Sequence, residues 1–175
     1  AGIQDVASRN IPLCLNNCPY HTGFKSRTDW IKYIPSTESS FWSGSGNPDN
    51  KTVLDSSDDV AHVKLGGKWR MPTIEEWKEL MDNCDWTWTT QNGIKGYKVT
   101  SKKSGYTGKS IFLPAAGERS RDDEIDDVGT HGWYWSSSIE AHLPSYAQAL
   151  DIDSKGIFTN FSGRSGGLSV RPVSE

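Results

Sequence analysis

The clearest pattern of apolar and polar residues lies between residues 66 and 83. Its apolar residues recur at helical spacing and form one stripe: Ile74, Trp77, Leu80 and Met81. Thr73 precedes the stripe and Glu76 follows three residues later, which is the pattern of a capping box at a helix N-terminus. The pattern predicts an amphipathic helix that begins after Thr73 and ends near Asn83 or Cys84.

A shorter helix is predicted upstream, between Asp55 and Lys64. Ser56, Ser57 and Asp58 are residue types that favour the start of a helix, and Gly66-Gly67 favours its end.

Beyond Cys84 the apolar period changes from that of a helix to that of a strand. Trp86 and Trp88 alternate with threonines, and Asn92-Gly93 is a strong hairpin signal, so we expect an antiparallel hairpin. The polar, acidic stretch 118–130 is predicted to be a loop. Further strands are predicted at residues 110–113, where Pro114 ends the strand or places it on an edge, and at 133–137, 146–152, 156–161 and 167–173. The expected fold class is therefore α+β, with two helices packed on a short antiparallel sheet with long loops.

The chain length fits one domain. With 175 residues it can bury a conventional core. We expect residues 1–40 to be a divergent N-terminal segment packed on the domain, with Phe24, Trp30, Tyr33 and Ile34 in an early strand or turn, and residues 41–175 to be the domain itself. The formal net charge of −3 argues against nucleic acid as a partner. Because no apolar run is long enough to span a bilayer, direct membrane insertion is not expected.

The three cysteines are Cys14, Cys18 and Cys84. Cys14 and Cys18 could close a small disulfide loop, while a zinc site would need further ligands that the sequence does not place. Cys84 is expected to pack as a small apolar residue.

The block Arg70-Met71-Pro72-Thr73-x-x-Glu76-Trp77 resembles a signature that two families share. One contains formylglycine-generating-enzyme-like proteins, and the other is the major paralogous domain family first named from Fibrobacter succinogenes. The second family fits better, because seven motifs match it in order: residues 49–55, 66–77, 86–93, 96–100, 110–117, 134–138 and 168–173.

This resemblance implies a C-type-lectin-like fold and a bacterial cell-surface or secreted setting, or a phage that infects such bacteria. It implies a protein or glycan receptor as the ligand class. Oxidases that generate formylglycine hold copper with a cysteine pair near the C-terminus, and no cysteine follows Cys84 here. We therefore expect no catalytic residues of that kind.

Calcium binding and Ser-His-Asp catalysis have weaker support in the sequence. The acidic loop from Asp122 to Asp127 could bind calcium through its carboxylates, but a solvated run of charge is the simpler interpretation, and we expect no cofactor or resident metal. His131 and the serines at 136–138 could suggest a Ser-His-Asp arrangement, but no Gly-x-Ser-x-Gly elbow surrounds them. These serines are expected to satisfy backbone groups after a buried tryptophan.

The C-terminal third provides the candidate binding surface. Residues 142–145 and 161–164 depart most from the family pattern, in a way that resembles the variable proteins of diversity-generating retroelements; ordinary loop drift is the alternative. Exposed aromatic and arginine side chains favour ligand contact. The expected ligand-binding residues are His142, Leu143, Ser145, Tyr146, Gln148, Phe158, Asn160, Phe161, Ser162 and Arg164. The sequence thus favours a non-enzymatic, adhesin-like display module, with a structural domain of a surface or phage assembly as the alternative.

Overall fold

The computed structural model describes residue 33 and residues 49–119, 125–143, 145–164 and 166–174. In these residues the chain forms two helices and ten strands, mostly in antiparallel pairs, which confirms the α+β class. The helices are α1 (Val60–Leu65) and α2 (Ile74–Asn83). The strands are β1 (Trp69–Arg70), β2 (Cys84–Gln91), β3 (Ile94–Ser101), β4 (Ser110–Pro114), β5 (Glu118–Arg119), β6 (Ile125–Asp126), β7 (His131–Ile139), β8 (Tyr146–Asp153), β9 (Gly156–Gly163) and β10 (Val173–Ser174).

Helix α2 begins as the sequence predicts. The Thr73 hydroxyl accepts from the backbone amide of Glu76 at 3.3 Å, and a Glu76 carboxylate oxygen accepts from the amide of Thr73 at 2.8 Å. These two bonds satisfy amides that have no partner within the helix. Ile74 and Trp77 are buried, and the helix ends at Asn83 with Cys84 as the C-cap, so the predicted helix is confirmed.

Helix α1 begins later than predicted. Residues 56–58 form a turn, and Asp59 is the N-cap, accepting from the amides of Ala61 and His62 at 2.9 and 3.1 Å. The other Asp59 oxygen accepts from the Met71 amide at 2.8 Å, so one buried carboxylate joins α1 to the start of the 71–77 segment. The predicted end of α1 at Gly66 is confirmed.

The predicted hairpin is formed by β2 and β3. Asn92 and Gly93 both have positive φ, 51° and 80°, as a two-residue type I′ turn requires. Strand β4 pairs only with β3 among the described strands and ends at Pro114, so the proline lies both at a strand end and on an edge, as predicted.

A second sheet contains β7, β8 and β9, with β8 in the centre. Paired residues of antiparallel strands point to the same face, and successive residues alternate. One face carries Trp135, Ala147 and Ala149, which belong to the first core cluster with Met71 of the 71–77 segment. The opposite face carries residues of a second cluster that contains Trp77 of α2: Tyr134, Leu150 and Ile152. The sheet therefore separates two cores.

The serines at 136–138 satisfy backbone groups, as predicted. They lie at a register irregularity of β7 and are buried. The Ser136 hydroxyl donates to the Gln148 carbonyl at 2.7 Å, and the Ser138 hydroxyl accepts from the Ile74 amide at 3.1 Å. Because Ile74 is the first residue of α2, this bond with Ser138 connects the helix to the second sheet.

Two predictions of local structure are corrected. The stretch 118–130 is not entirely loop, because β5 pairs with β6. The stretch 167–173 is not one strand. Ser169 bridges β7 in parallel through the backbone groups of Trp133 and Trp135, and the chain then reaches β1 through β10. The segment changes hydrogen-bonding partner along its length, so it does not form one continuous ladder.

Of the predicted early segment, only Tyr33 lies within the described residues. Its side chain is fully buried in the first core cluster. The phenol donates to Asp58 at 2.5 Å and accepts from the Asp55 amide at 3.0 Å. Phe24, Trp30 and Ile34 lie outside the described residues, as do Cys14 and Cys18. Cys84 is a buried free thiol whose pKa is raised by burial, and it packs in the second core cluster.

Candidate functional site

The predicted ligand-binding residues other than Arg164 lie on β8, on β9 and in the connection before β8, and Arg164 directly follows β9. Four of them are large apolar side chains with substantial exposure: Phe158 (51%), Phe161 (44%), Leu143 (38%) and Tyr146 (37%). His142 and Asn160 are also exposed, and Ser145, Gln148 and Ser162 are half-buried. The β8–β9 hairpin and its preceding turn therefore present most of these residues to solvent.

The register of β8 with β9 divides these residues between the two faces of the sheet. Gln148 pairs with Phe161, and Tyr146 lies two residues before Gln148, so these three share one face. Asn160 pairs with Ala149, so Phe158, Asn160 and Ser162 share the other. The sequence prediction grouped all of them in one surface, and the structure separates them.

Tyr146, Gln148 and Phe161 form what we call the aromatic patch. The Tyr146 and Phe161 rings meet edge to face, with centroids 5.5 Å apart and planes at 85°. Such pairs are attractive beyond their buried area and hold both rings in place. The side-chain amide of Gln148 donates to a Glu140 carboxylate oxygen at 3.2 Å, which places a polar pair beside the rings.

The connection before β8 is held by its own hydrogen bonds. The Tyr146 amide donates to the Leu143 carbonyl at 2.7 Å, and the Leu143 amide donates to the Glu140 carbonyl at 3.2 Å. The Glu140 amide in turn donates to the Tyr146 carbonyl at 3.0 Å, and its carboxylate accepts from the His142 amide at 3.3 Å. Hydrogen bonds among the described residues of this turn therefore hold Leu143 and Tyr146 close to Glu140.

The opposite face contains a carboxylate that the sequence analysis missed. Asp151 pairs through its backbone with Trp133 on one side and Phe158 on the other. Its carboxylate accepts from the side-chain amide of Asn160 at 3.5 Å. Its Oδ1 atom is buried and has no hydrogen-bond partner among the described residues. Burial, with the nearby charge of Asp153, raises the pKa of Asp151. The signal in the sequence was an acid between two apolar residues of β8, Leu150 and Ile152.

The expectation that Arg164 belongs to the exposed face is wrong. Arg164 is 2% exposed, and its guanidinium lies over the Tyr33 ring, 5.6 Å from the centroid. The chain leaves β9 at Gly163, and the Arg164 amide donates to the Ser145 carbonyl at 2.9 Å, which turns the side chain toward the first core cluster. The arginine therefore packs as a cation over an aromatic ring rather than as a surface contact.

The acidic loop is only partly within the described residues, which exclude Asp122 and Asp123. Asp126 lies in β6 and pairs through its backbone with Glu118, and both Asp126 and Asp127 are exposed. Burial and the neighbouring carboxylates raise the pKa of Glu118. The described part of the chain contains no group of three His, Cys, Asp or Glu side chains placed to hold a metal ion.

The residues of the imagined Ser-His-Asp arrangement are spread along β7. The hydroxyls of Ser136 and Ser137 donate to backbone carbonyls, those of Gln148 and Pro72. His131 lies at the other end of the strand, about 16 Å away at the usual rise per residue. Its ring nitrogen is 3.8 Å from an Asp153 carboxylate oxygen.

Within the described ranges, no helix has the length and apolar character that crossing a bilayer requires. Comparisons of the chain with protein-family models, with curated proteins and with solved structures return no match.

Proposed function

We propose that this chain is a C-type-lectin-like domain related to the major paralogous domain family of Fibrobacter succinogenes, and that it acts as a non-enzymatic receptor-binding module. Support for the family comes from the Arg70 to Trp77 block. Arg70 donates to both Glu76 carboxylate oxygens, at 2.6 and 2.7 Å, and Glu76 also completes the capping box of Thr73. The signature residues therefore act together, and they fix the start of α2.

The observation that carries the binding proposal is the aromatic patch. Two ring side chains, each more than a third exposed, contact one another on β8 and β9 of a sheet whose β7 and β8 residues pack into two cores. Tyrosine and phenylalanine supply large contact areas at a low cost in side-chain entropy, and Gln148 with Glu140 supplies directional hydrogen bonds beside them. The patch combines apolar area with a polar rim, as ligand-binding surfaces do.

The ligand class that we propose is a protein or glycan receptor on a cell surface, met by a chain that is secreted, displayed on a bacterium or carried by a phage. The exposed positions of residues 142–148 and 158–162 are those that a diversity-generating retroelement would vary. The buried core on either side of the sheet leaves these positions free to change without loss of the scaffold.

The experiment is a binding titration of the labelled chain on intact bacterial cells and on an immobilised glycan panel. We expect saturable binding by the wild type, and a loss of affinity of about tenfold or more on Tyr146→Ala or Phe161→Ala, because each removes half of the ring pair. Tyr106→Ala is the matched control, since Tyr106 is a 56% exposed aromatic residue in the β3–β4 connection.

Equal loss on Tyr106→Ala would show that the binding is general adhesion of exposed rings. Saturable binding that survives both patch substitutions would place the ligand elsewhere. An absence of saturable binding on every surface would refute the proposed function.

A further inference from the structure

The outer edge of β9 is the most exposed part of the second sheet. Among the described residues, β9 pairs with β8 alone. Its four central residues are all exposed, although their side chains alternate between the two faces of the sheet: Phe158, Thr159, Asn160 and Phe161. Such an edge offers outward-facing backbone donors and acceptors to another strand.

One backbone bond shows which residues face outward. The Phe161 amide donates to the side-chain oxygen of its own neighbour, Asn160, at 2.9 Å. That amide is therefore directed away from β8. Backbone groups alternate in direction along a strand. The N–H and C=O groups of Ile157 and Thr159 therefore point away from β8, as those of Phe161 do.

As far as the described residues show, the strand itself carries none of the sequence features that usually protect an edge. Natural edge strands carry charged residues, proline or a bulge that prevents pairing with another chain. The sequence of β9, Gly-Ile-Phe-Thr-Asn-Phe-Ser-Gly, contains no charged residue and no proline, and its pairing with β8 is regular throughout.

We propose that β9 pairs in antiparallel fashion with β9 of a second copy of this chain, about a two-fold axis at Thr159. In this register Thr159 faces Thr159 of the other copy, and Ile157 faces Phe161 of the other copy. Ile157 already packs against the second core cluster, so the incoming phenylalanine extends its apolar surface. Each copy makes the same Ile157–Phe161 contact with the other, as a two-fold axis requires.

The charges on these strands do not oppose pairing with a second copy. Of the two paired strands, only β8 carries acids, Asp151 and Asp153, and it lies one strand inside the edge. In the dimer the two β8 strands are separated by three strand spacings, about 14 Å, which exceeds the Debye length at physiological salt. The contact strands themselves are uncharged.

The axis is perpendicular to the sheet, so each side chain keeps its face. Both aromatic patches then lie on the same side of one continuous sheet. If the patch binds a receptor as proposed above, the dimer presents two binding surfaces in one direction and gains avidity.

The test is sedimentation velocity of the full chain from about 1 μM to about 1 mM. We expect a reversible monomer–dimer equilibrium. Thr159→Lys and Thr159→Glu should each raise the dissociation constant at least about tenfold, because each places two like charges opposite one another. An equimolar mixture of the two variants should recover a 1:1 dimer, which also shows that both variants fold.

Thr87→Lys is the matched control, since Thr87 is an exposed threonine on the edge strand β2 of the other sheet. It should leave the equilibrium unchanged. In the dimer, amide exchange should slow at Ile157, Thr159 and Phe161 and not at Phe158 and Asn160.

A wild-type chain that stays monomeric over the whole range would overturn the proposal and leave the edge to an extended segment of another protein. So would a dimer that Thr159→Lys does not weaken, or a mixture of the charged variants that stays monomeric. Receptor binding by a strictly monomeric chain would refute the dimer and leave the proposed function standing; a dimer without binding would do the reverse.

Discussion

Glu76→Gln is the substitution that most directly tests how the 66–77 block holds the fold. The Glu76 carboxylate accepts two bonds from Arg70 and one from the Thr73 amide. Glutamine keeps an acceptor for Thr73 but removes the charge that faces Arg70. The loss is therefore that of a bidentate ion pair, with the cap largely retained.

The expected cost is about 1 kcal/mol. A charge-assisted hydrogen bond contributes roughly 1.5–3 kcal/mol, but the Arg70 and Glu76 side chains are 32% and 36% exposed, and solvent screening reduces the value. For a domain of this size the melting temperature should fall by about 2–4 °C. Glu76→Ala also removes the capping bond, so its cost should be about 2 kcal/mol.

The effect should depend on pH. Hydrogen bonds from Arg70, foremost, and from Thr73 lower the pKa of Glu76 in the folded chain. The stabilisation is therefore complete above the pKa of a free glutamate, about 4.3, and is lost as the pH falls through the lower folded-state pKa. The difference between wild type and Glu76→Gln should be present at pH 7 and should vanish in strong acid.

The assay is urea unfolding of both proteins at a series of pH values. Glu75→Gln is the control, because Glu75 lies beside Glu76 on α2 with a 72% exposed side chain that pairs only with Lys78 among the described residues. Its effect should be within about 0.5 kcal/mol of zero. The reasoning is refuted if Glu76→Gln is no more destabilising than Glu75→Gln at pH 7, or if its effect is equal at every pH.

Three further substitutions test other parts of the fold by urea unfolding. Ser138→Ala should cost about 2 kcal/mol, because the buried Ile74 amide loses its acceptor; a neutral result would show that the amide finds another. Asp151→Asn should stabilise the chain at pH 7 by about 1 kcal/mol and should give no gain below the pKa of free aspartate, since a raised folded-state pKa means that stability is lost as the carboxyl ionises. Gly117→Ala should cost more than about 2 kcal/mol, because Gly117 has φ +72° and a Cβ would overlap the Asp126 carbonyl oxygen.

Local signals in the sequence were sufficient for several elements. The capping box, the apolar stripe of α2 and the Asn92-Gly93 turn each depend on neighbours within a few residues, and all are confirmed. The role of the serines at 136–138 was also predictable, because buried hydroxyls after a tryptophan must find backbone partners.

The remaining features depend on contacts between distant parts of the chain. Asp59 rather than Asp58 caps α1, because Asp58 accepts from the Tyr33 phenol, 25 residues away. Arg164 is buried because Tyr33 provides a ring beneath it. The split of the candidate site between two faces follows from the register of β9, in which Phe158 and Phe161 are three positions apart and therefore point to opposite faces. No local pattern shows which face of an edge strand is covered.

The central claim is that the β8–β9 hairpin and its preceding turn form a variable binding surface on a constant scaffold. The most direct measurement is deep sequencing of this gene in its native population, with a search of the neighbouring DNA for a near-copy of the C-terminal coding segment. The account predicts substitutions at the exposed positions of residues 142–148 and 158–162, derived from adenines in that copy, while the 66–77 block and the buried Ala147, Ala149 and Arg164 stay fixed. Even variation along the chain, without a near-copy, would contradict diversification and leave a binding module of fixed specificity or a structural surface domain.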